Sequence, residues 1–275
     1  MSDESLHSTI GIIAGNGIYP ETFAAAARRA GVETLVAAAF RDETKPGFAD
    51  EVDSIEWLRV GQLGKMIKFF QKHGVKHAVM VGQIAPKNLF DLRPDLRTLK
   101  MLARVKERNA ETLFTAIAEE LESEGIQLLS AVTYLDDHLP RSGPVCGPGL
   151  SDRQAEDVAF GFRIAKETSR LDIGQTVIVK KGTVLAVEAF EGTNEAIKRG
   201  GALGKGKATM VKVSKPNQDF RFDVPVVGPA TVETAAESGI NAIVVEADCT
   251  LLLGEEEVRS LCEKHGVSIL AISEE

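Results

Sequence analysis

The chemistry-bearing residues of this 275-residue chain concentrate between positions 174 and 228. From Ala196 to Arg221 there are seven basic residues and one acid, Asp219, in a chain whose formal net charge is −8. That local reversal of sign points to an anionic ligand. Asp219 and Asp223 border the basic region with carboxylates. Cations beside carboxylates are what metal-assisted phosphoryl chemistry requires, because Mg²⁺ takes oxygen ligands and phosphate oxygens need positive charge. A third carboxylate, Glu188, falls in VLAVEAFEG, where a period of two puts Val184, Ala186 and Glu188 on one face. An ionised carboxylate there is costly unless it is paired, hydrogen-bonded or metal-bound. On spacing alone, a solvated sheet edge with ordinary surface lysines explains the same charges equally well.

The elements that must position these residues follow from periodicity. TVIV, VLAV and MVKV alternate as strands, and Lys181-Gly182 forms a hairpin turn between the first two. A helix and a Gly/Lys-rich loop separate the second from the third. In the first half, the apolar run from Thr9 to Ala14 leads into Gly15-Asn16-Gly17-Ile18-Tyr19-Pro20 and the helix ETFAAAARRAG. Pro20 suits the first turn of that helix and Gly31 its C-cap. Such a unit presents free backbone N–H groups at a positive helix end, so Gly15, Asn16 and Gly17 are candidates for contact with a phosphate or carbonyl group. Pro20 replaces the third glycine of a dinucleotide fingerprint, which leaves the NAD reading weak. VGQIAP ends the strand HAVMVG at the edge where open parallel sheets bind ligands, which adds Gly82 and Gln83. His73 and His77 are four apart, but Gly74 lies between them, so metal binding by that pair is not expected. One helical region is predicted from about Pro94 to Glu124, followed by the strand IQLLSAV.

Residues 136–150 carry three prolines and three glycines and read as a linker. Ser151 and Gln154 then open a helix through a capping box, with Val158, Ala159, Phe162 and Ala165 on its buried face. The expected fold is α/β in two domains: an N-terminal Rossmann-like parallel sheet over 1–135 and a C-terminal mixed α/β domain, the catalytic one, over 151–275.

Composition bounds the function. Aromatic residues make up 5% of the chain, with one tryptophan, Trp57, and the net charge is negative, so nucleic-acid binding is not expected. No apolar run is long enough to span a bilayer, and the N-terminus is acidic rather than signal-like, so a cytoplasmic protein is expected. Cys146, Cys249 and Cys262 show no metal or redox spacing and read as reduced thiols.

GQTVIVKKGTVLAVEAFEGTNEAI and VKVSKPNQDFRFDVPVVGPATVETAAESG, with GIIAGNGIYPE and VGQI in the first half, closely resemble the bacterial UDP-2,3-diacylglucosamine pyrophosphatase family of lipid A synthesis. The resemblance implies hydrolysis of the substrate's pyrophosphate, giving UMP and 2,3-diacylglucosamine 1-phosphate, with Mg²⁺ (or Mn²⁺) as cofactor. Asp223 matches the acidic residue of the family's R-x-D-[LV]-P motif and is the first choice of metal ligand, with Glu188 the second. Glu191 and Asp219 complete the shell or orient the water. Lys212 and Lys215 neutralise phosphate charge, with Lys205 and Lys207 as weaker candidates. Gly192, Thr193 and Gln218 join Glu191 as substrate contacts. The lipid substrate also implies peripheral contact with the inner membrane, and a homodimer is compatible with this reading. One departure stands out: relatives carry a Gly-Asp-Asp segment where this chain has Arg108-Asn109-Ala110-Glu111. Two readings compete with the hydrolase, a nicotinamide-dependent oxidoreductase and a non-catalytic nucleotide-sugar sensor.

Overall fold

The computed structural model describes residues 7–84, 94–105 and 110–273. The chain divides into two compact units, one of residues 1–135 with 219–223, the other of 136–218 with 224–275. The α/β class and the two sheets agree with expectation. The chain-order division does not hold throughout, because 219–223 packs with the first unit.

In the first unit the elements run β1 (Thr9–Ala14), α1 (Tyr19–Arg29), β2 (Thr34–Phe40), β3 (Ser54–Leu58), α2 (Leu63–Lys72), β4 (His77–Val81), α3 (Leu96–Arg104), α4 (Ala110–Glu122) and β5 (Gln127–Leu128). All pairings are parallel, in the order β3-β2-β1-β4-β5. This is the Rossmann-like arrangement, with β1 buried along nearly its whole length as a central parallel strand must be. Leu63, Met66, Ile67 and Phe70 of α2 are buried as their spacing predicts.

Two elements differ from the sequence reading. The helical region ends its first part at Arg104, where Val105 turns extended at ψ 115°, and α4 is a separate helix. The strand expected over IQLLSAV is confined to Gln127–Leu128. Beyond it the chain turns, and the Ala131 N–H donates to the Phe220 carbonyl at 2.7 Å. Phe222 stacks at 5.5 Å on Phe114 of α4, so two aromatic residues anchor the 219–223 segment to this unit.

The second unit contains β6 (Gly143–Cys146), α5 (Asp152–Arg170), β7 (Thr176–Lys180), β8 (Thr183–Val187), α6 (Thr193–Gly204), β9 (Ala208–Lys212), β10 (Val226–Val227), α7 (Pro229–Glu237), β11 (Ile240–Glu246), β12 (Leu251–Leu252), α8 (Glu255–His265) and β13 (Ser268–Ile272). Its main sheet has the order β6-β13-β11-β9-β7-β8. Strands β9, β11 and β13 are parallel, while β6, β7 and β8 each pair antiparallel. β10 and β12 form a separate short parallel pair.

The stretch 136–150 is therefore more than a linker. Its residues 143–146 are an edge strand, which low periodicity and Gly/Pro content concealed; proline is tolerated at such an edge. The capping arrangement on α5 is present, with the Gln154 side-chain oxygen accepting from the Ser151 N–H at 3.1 Å. Its buried face is Asp157, Val158, Gly161, Ala165 and Ser169, whereas Ala159 is exposed. Asp157 is buried because it accepts the Lys181 and Gly182 N–H groups, both at 2.8 Å, and so ties down the hairpin turn. Both turn residues have positive φ (56° and 68°), as a two-residue hairpin loop demands.

Candidate functional site

Strands β7, β8 and β9 align a polar row above an apolar one. Ile178 pairs with Ala186 and Met210, and all three are buried under α6. Two residues along, Thr176 pairs with Lys212, and the Glu188 N–H donates to the Thr176 carbonyl at 2.8 Å. A period of two therefore puts Thr176, Glu188 and Lys212 on the α6 side of the sheet. Val184 does not share that face as expected. A register shift between Ile178 and Val179 pairs Val184 with Val179 and turns it toward the α5 side.

Thr193, the first residue of α6, joins the row. Its hydroxyl donates to Glu188 Oε1 at 2.7 Å and accepts from Lys212 Nζ at 2.9 Å. Glu188 and Lys212 are buried, at 9% and 5% exposure. Glu188 Oε2 and Thr176 Oγ1 are also buried and make no hydrogen bond among the described residues. Gly174 lets the chain pass this close, since a Cβ there would lie 2.1 Å from the Glu188 carbonyl oxygen. Gly192, the N-cap of α6, has φ 84° and accepts from the Ala196 N–H.

The neighbouring candidates are held by partners that the sequence reading did not name. Glu191 pairs with Arg199, whose guanidinium holds its carboxyl below the usual range, and also accepts the Ala189 N–H at 3.1 Å. Lys215 forms an ion pair with Asp172 at 2.6 Å. Gln218 accepts the Lys215 N–H through its side-chain oxygen at 2.5 Å, and its side-chain nitrogen is buried without a bond among the described residues. Lys205 and Lys207 do not join the row. They are exposed and follow the C-terminus of α6, about 18 Å of helix from Thr193. Both have positive φ, as a turn closing that helix requires.

In the first unit, the glycine loop and the β4 loop bond to each other. The Gly15 N–H donates to the Val81 carbonyl at 2.8 Å, and Asn16 and Gln83 exchange backbone bonds at 2.7 and 3.2 Å. The Gly17 N–H donates to the Asn16 side-chain oxygen at 2.6 Å. These three N–H groups are thus already committed and not free as expected. Gly15 and Gly82 are glycines because the backbones touch: a Cβ on Gly15 would lie 2.6 Å from the Gln83 carbonyl oxygen, one on Gly82 2.7 Å from that of Asn16. Asp219 receives a forked ion pair from Arg221, with the closest contact at 2.7 Å, which holds its carboxyl below the usual range. Satisfied in this way, it suits orientation of the segment better than metal ligation. The Asp223 N–H donates to the Asp219 carbonyl at 3.0 Å. Glu111 sits exposed in the first turn of α4, while Arg108 and Asn109 lie outside the described residues.

Among the described residues, no group of three or more His, Cys, Asp and Glu side chains is gathered to hold a metal. His73 Nδ1 lies 2.9 Å from the Phe69 carbonyl, and His77 stacks on His7. No helix among the described residues is long and apolar enough to cross a membrane.

Two family models match this chain, the LpxI N-terminal domain over residues 9–138 and the LpxI C-terminal domain over 141–270. The chain belongs to the LpxI family. Along 274 residues it is 28% identical to the UDP-2,3-diacylglucosamine pyrophosphatase LpxI of Caulobacter vibrioides, covering 96% of this chain and 97% of that one. A biotin carboxylase domain of a thermophilic 2-oxoglutarate carboxylase is similar over 62% of this chain and 34% of that one, at 14% identity. Its TM-score of 0.26 carries no argument. The LpxI C-terminal match includes Asp219 and Asp223, although the fold packs them with the first unit. Sequence reasoning missed Thr176 in this polar row, although strand register across the hairpin would have found it.

Proposed function

We propose that this chain hydrolyses the pyrophosphate bond of UDP-2,3-diacylglucosamine to UMP and 2,3-diacylglucosamine 1-phosphate in lipid A synthesis. The observation that carries this reading is the match to the Caulobacter vibrioides enzyme along nearly the full length of both chains. The reaction adds one water: its oxygen bonds to one phosphorus, the bridging P–O bond breaks, and the bridging oxygen leaves with the other phosphate. The substrate pyrophosphate is doubly anionic, and charge builds on the leaving oxygen as the bond breaks, so fixed cations stabilise that stage most. Lys212, buried and held by Thr193, is one such cation, and Lys215 is a second.

Mg²⁺ or Mn²⁺ belongs to the same proposal, with Glu188 and Asp223 as two separate candidate ligands, each on its own ground. For Glu188 the ground is the buried Oε2 that lacks a hydrogen bond among the described residues. For Asp223 it is the motif position. Mg²⁺ typically uses only one or two carboxylates, with water and substrate phosphate filling the remaining positions, so a cluster of three acids is not required. When bound, the ion would supply charge neutralisation at the phosphate oxygens. Pure protein incubated with UDP-2,3-diacylglucosamine, with and without divalent metal, should release UMP only when metal is present. Failure to release UMP under either condition would refute the hydrolase reading, and equal release in EDTA would refute the metal.

Lipid contact follows from the substrate. Phe190 stands 86% exposed between Glu188 and Glu191, an apolar side chain at the edge of the row. It is proposed to meet the acyl chains or the bilayer surface at the inner membrane, peripherally. Phe190→Asp should raise KM for the long-chain substrate at least about fivefold while leaving kcat within twofold. An unchanged KM counts against this contact.

A further inference from the structure

We infer that Thr193 is a positioning residue that couples Glu188 to Lys212 and does not itself bind the substrate. The inference rests on the hydrolase reading above for its activity measurements, but its geometry stands apart from it. A threonine hydroxyl carries one hydrogen. In this chain that hydrogen is committed to Glu188 Oε1 at 2.7 Å, and the same oxygen accepts from Lys212 Nζ at 2.9 Å. As a donor, the hydroxyl therefore has nothing left to offer a phosphate.

The surroundings fix this hydroxyl in place. Gly192, at φ 84°, turns the chain into α6 so that Thr193 is the first helical residue. Helix α6 packs its Ala196, Ile197 and Gly200 against the sheet, so the start of the helix has little freedom to move. Glu188 is tied by its own N–H to the Thr176 carbonyl, and Thr176 is the register partner of Lys212. Two strand positions and a helix start thus converge on one oxygen atom. Buried polar groups linked in this way fix one another's geometry, and loss of a central member removes that shared bond from each of them.

The consequence for Lys212 is directional. An ammonium on a flexible four-carbon stem is a poor electrostatic catalyst unless its position is fixed before the reaction. With Thr193 receiving one of its N–H groups, the ammonium is held at one place and orientation. An effect of this kind falls on turnover, whereas removal of a substrate contact made equally in the ground and transition states falls on binding.

Thr193→Val keeps the shape and removes the hydroxyl; Thr193→Ser keeps the hydroxyl. With UDP-2,3-diacylglucosamine, the valine variant should lose at least about tenfold in kcat with KM within threefold, and the serine variant should stay within threefold of wild type. Introduced into Lys212→Met, Thr193→Val should cost clearly less than its tenfold in the wild-type background, because the lysine it positions is gone and only the bond to Glu188 remains to be lost. A tenfold loss that persists in the Lys212→Met background would overturn the inference, as would a valine variant that turns over normally or one that changes KM alone. Should the valine variant fail to fold, Thr193→Ala carries the same cycle. A second readout needs no turnover: acylation of Lys212 by succinimidyl acetate, followed by mass spectrometry. Lys212 should label at least threefold faster in Thr193→Val than in wild type or Thr193→Ser, and equal labelling in all three would also overturn the inference. If wild type releases no UMP while the labelling contrast holds, it is the hydrolase reading that fails and the coupling that stands.

Discussion

Asp223→Ala is expected to fold normally and to lose at least about 10²-fold in kcat, roughly 2.7 kcal/mol of barrier, while still binding UDP-2,3-diacylglucosamine. A carboxylate that ligates a metal or aligns the reacting phosphate matters most as the P–O bond breaks, so its loss falls on turnover. Binding should survive because Lys212 and Lys215 lie elsewhere in the fold and keep their positions through Thr193 and Asp172. Asp223→Asn separates charge from shape. The segment is turn-like, with the Asp223 N–H donating to the Asp219 carbonyl and Pro225 following two residues on. Asparagine is a good turn residue, so a purely conformational role predicts full activity for Asp223→Asn. The catalytic role predicts a variant nearly as poor as alanine. Steady-state kinetics beside a substrate-binding measurement decides between them, and a fully active asparagine variant sinks the assignment.

Gly200→Ala is expected to destabilise the second unit by about 2 kcal/mol, against the direction that helix propensity predicts. Alanine in place of glycine inside an exposed helix adds roughly 0.5–1 kcal/mol of stability. Here a Cβ on Gly200 would lie 2.5 Å from Ile178 Cβ and 2.6 and 2.7 Å from its two γ carbons. Ile178 is fully buried, and its Cβ is fixed by the backbone, so no rotamer clears the space. Packing should therefore decide the sign. Gly200→Val should cost more, about 3 kcal/mol or above, and lower turnover as well, because the lifted helix carries Thr193 at its first position. Ala202, exposed on the same helix, provides the control: Ala202→Gly should show the ordinary propensity loss of roughly 1 kcal/mol. Denaturant melts of the three variants test the argument, and a Gly200→Ala protein more stable than wild type refutes the tight seat.

Much of the frame was legible because it depends on local pattern. The strands around the Lys181-Gly182 turn, the α2 stripe and the Gln154 cap are where spacing predicts them. What escaped reading depends on partners distant in sequence. Asp172 and Arg199 hold Lys215 and Glu191, and no local motif announces either pair. Strand β6 was hidden by prolines and glycines that an edge tolerates. Val184 changed face because a one-residue irregularity reverses side-chain direction, and nothing in VLAV marks it. The glycine loop illustrates the opposite error. Its residues are special, but Gly15 and Gly82 are small so that two backbones can touch; the Gly15 and Asn16 N–H groups expected to face a ligand serve that contact, and that of Gly17 bonds to the Asn16 side chain.

The 219–223 segment has a bearing on biosynthesis. Ala131 finds its backbone acceptor in Phe220, and Phe114 its ring partner in Phe222. A ribosome makes residues 1–135 long before it makes these two phenylalanines, and N-terminal domains ordinarily fold first during synthesis. In this chain the N-terminal unit cannot complete itself in that order. Until residue 223 has left the exit tunnel, the edge around Ala131 and α4 stays uncovered, and most of the second unit is already synthesised by then. A fragment ending at residue 135 should therefore be less protected from proteolysis than the same unit in the whole chain, so the two halves mature together although each has its own sheet.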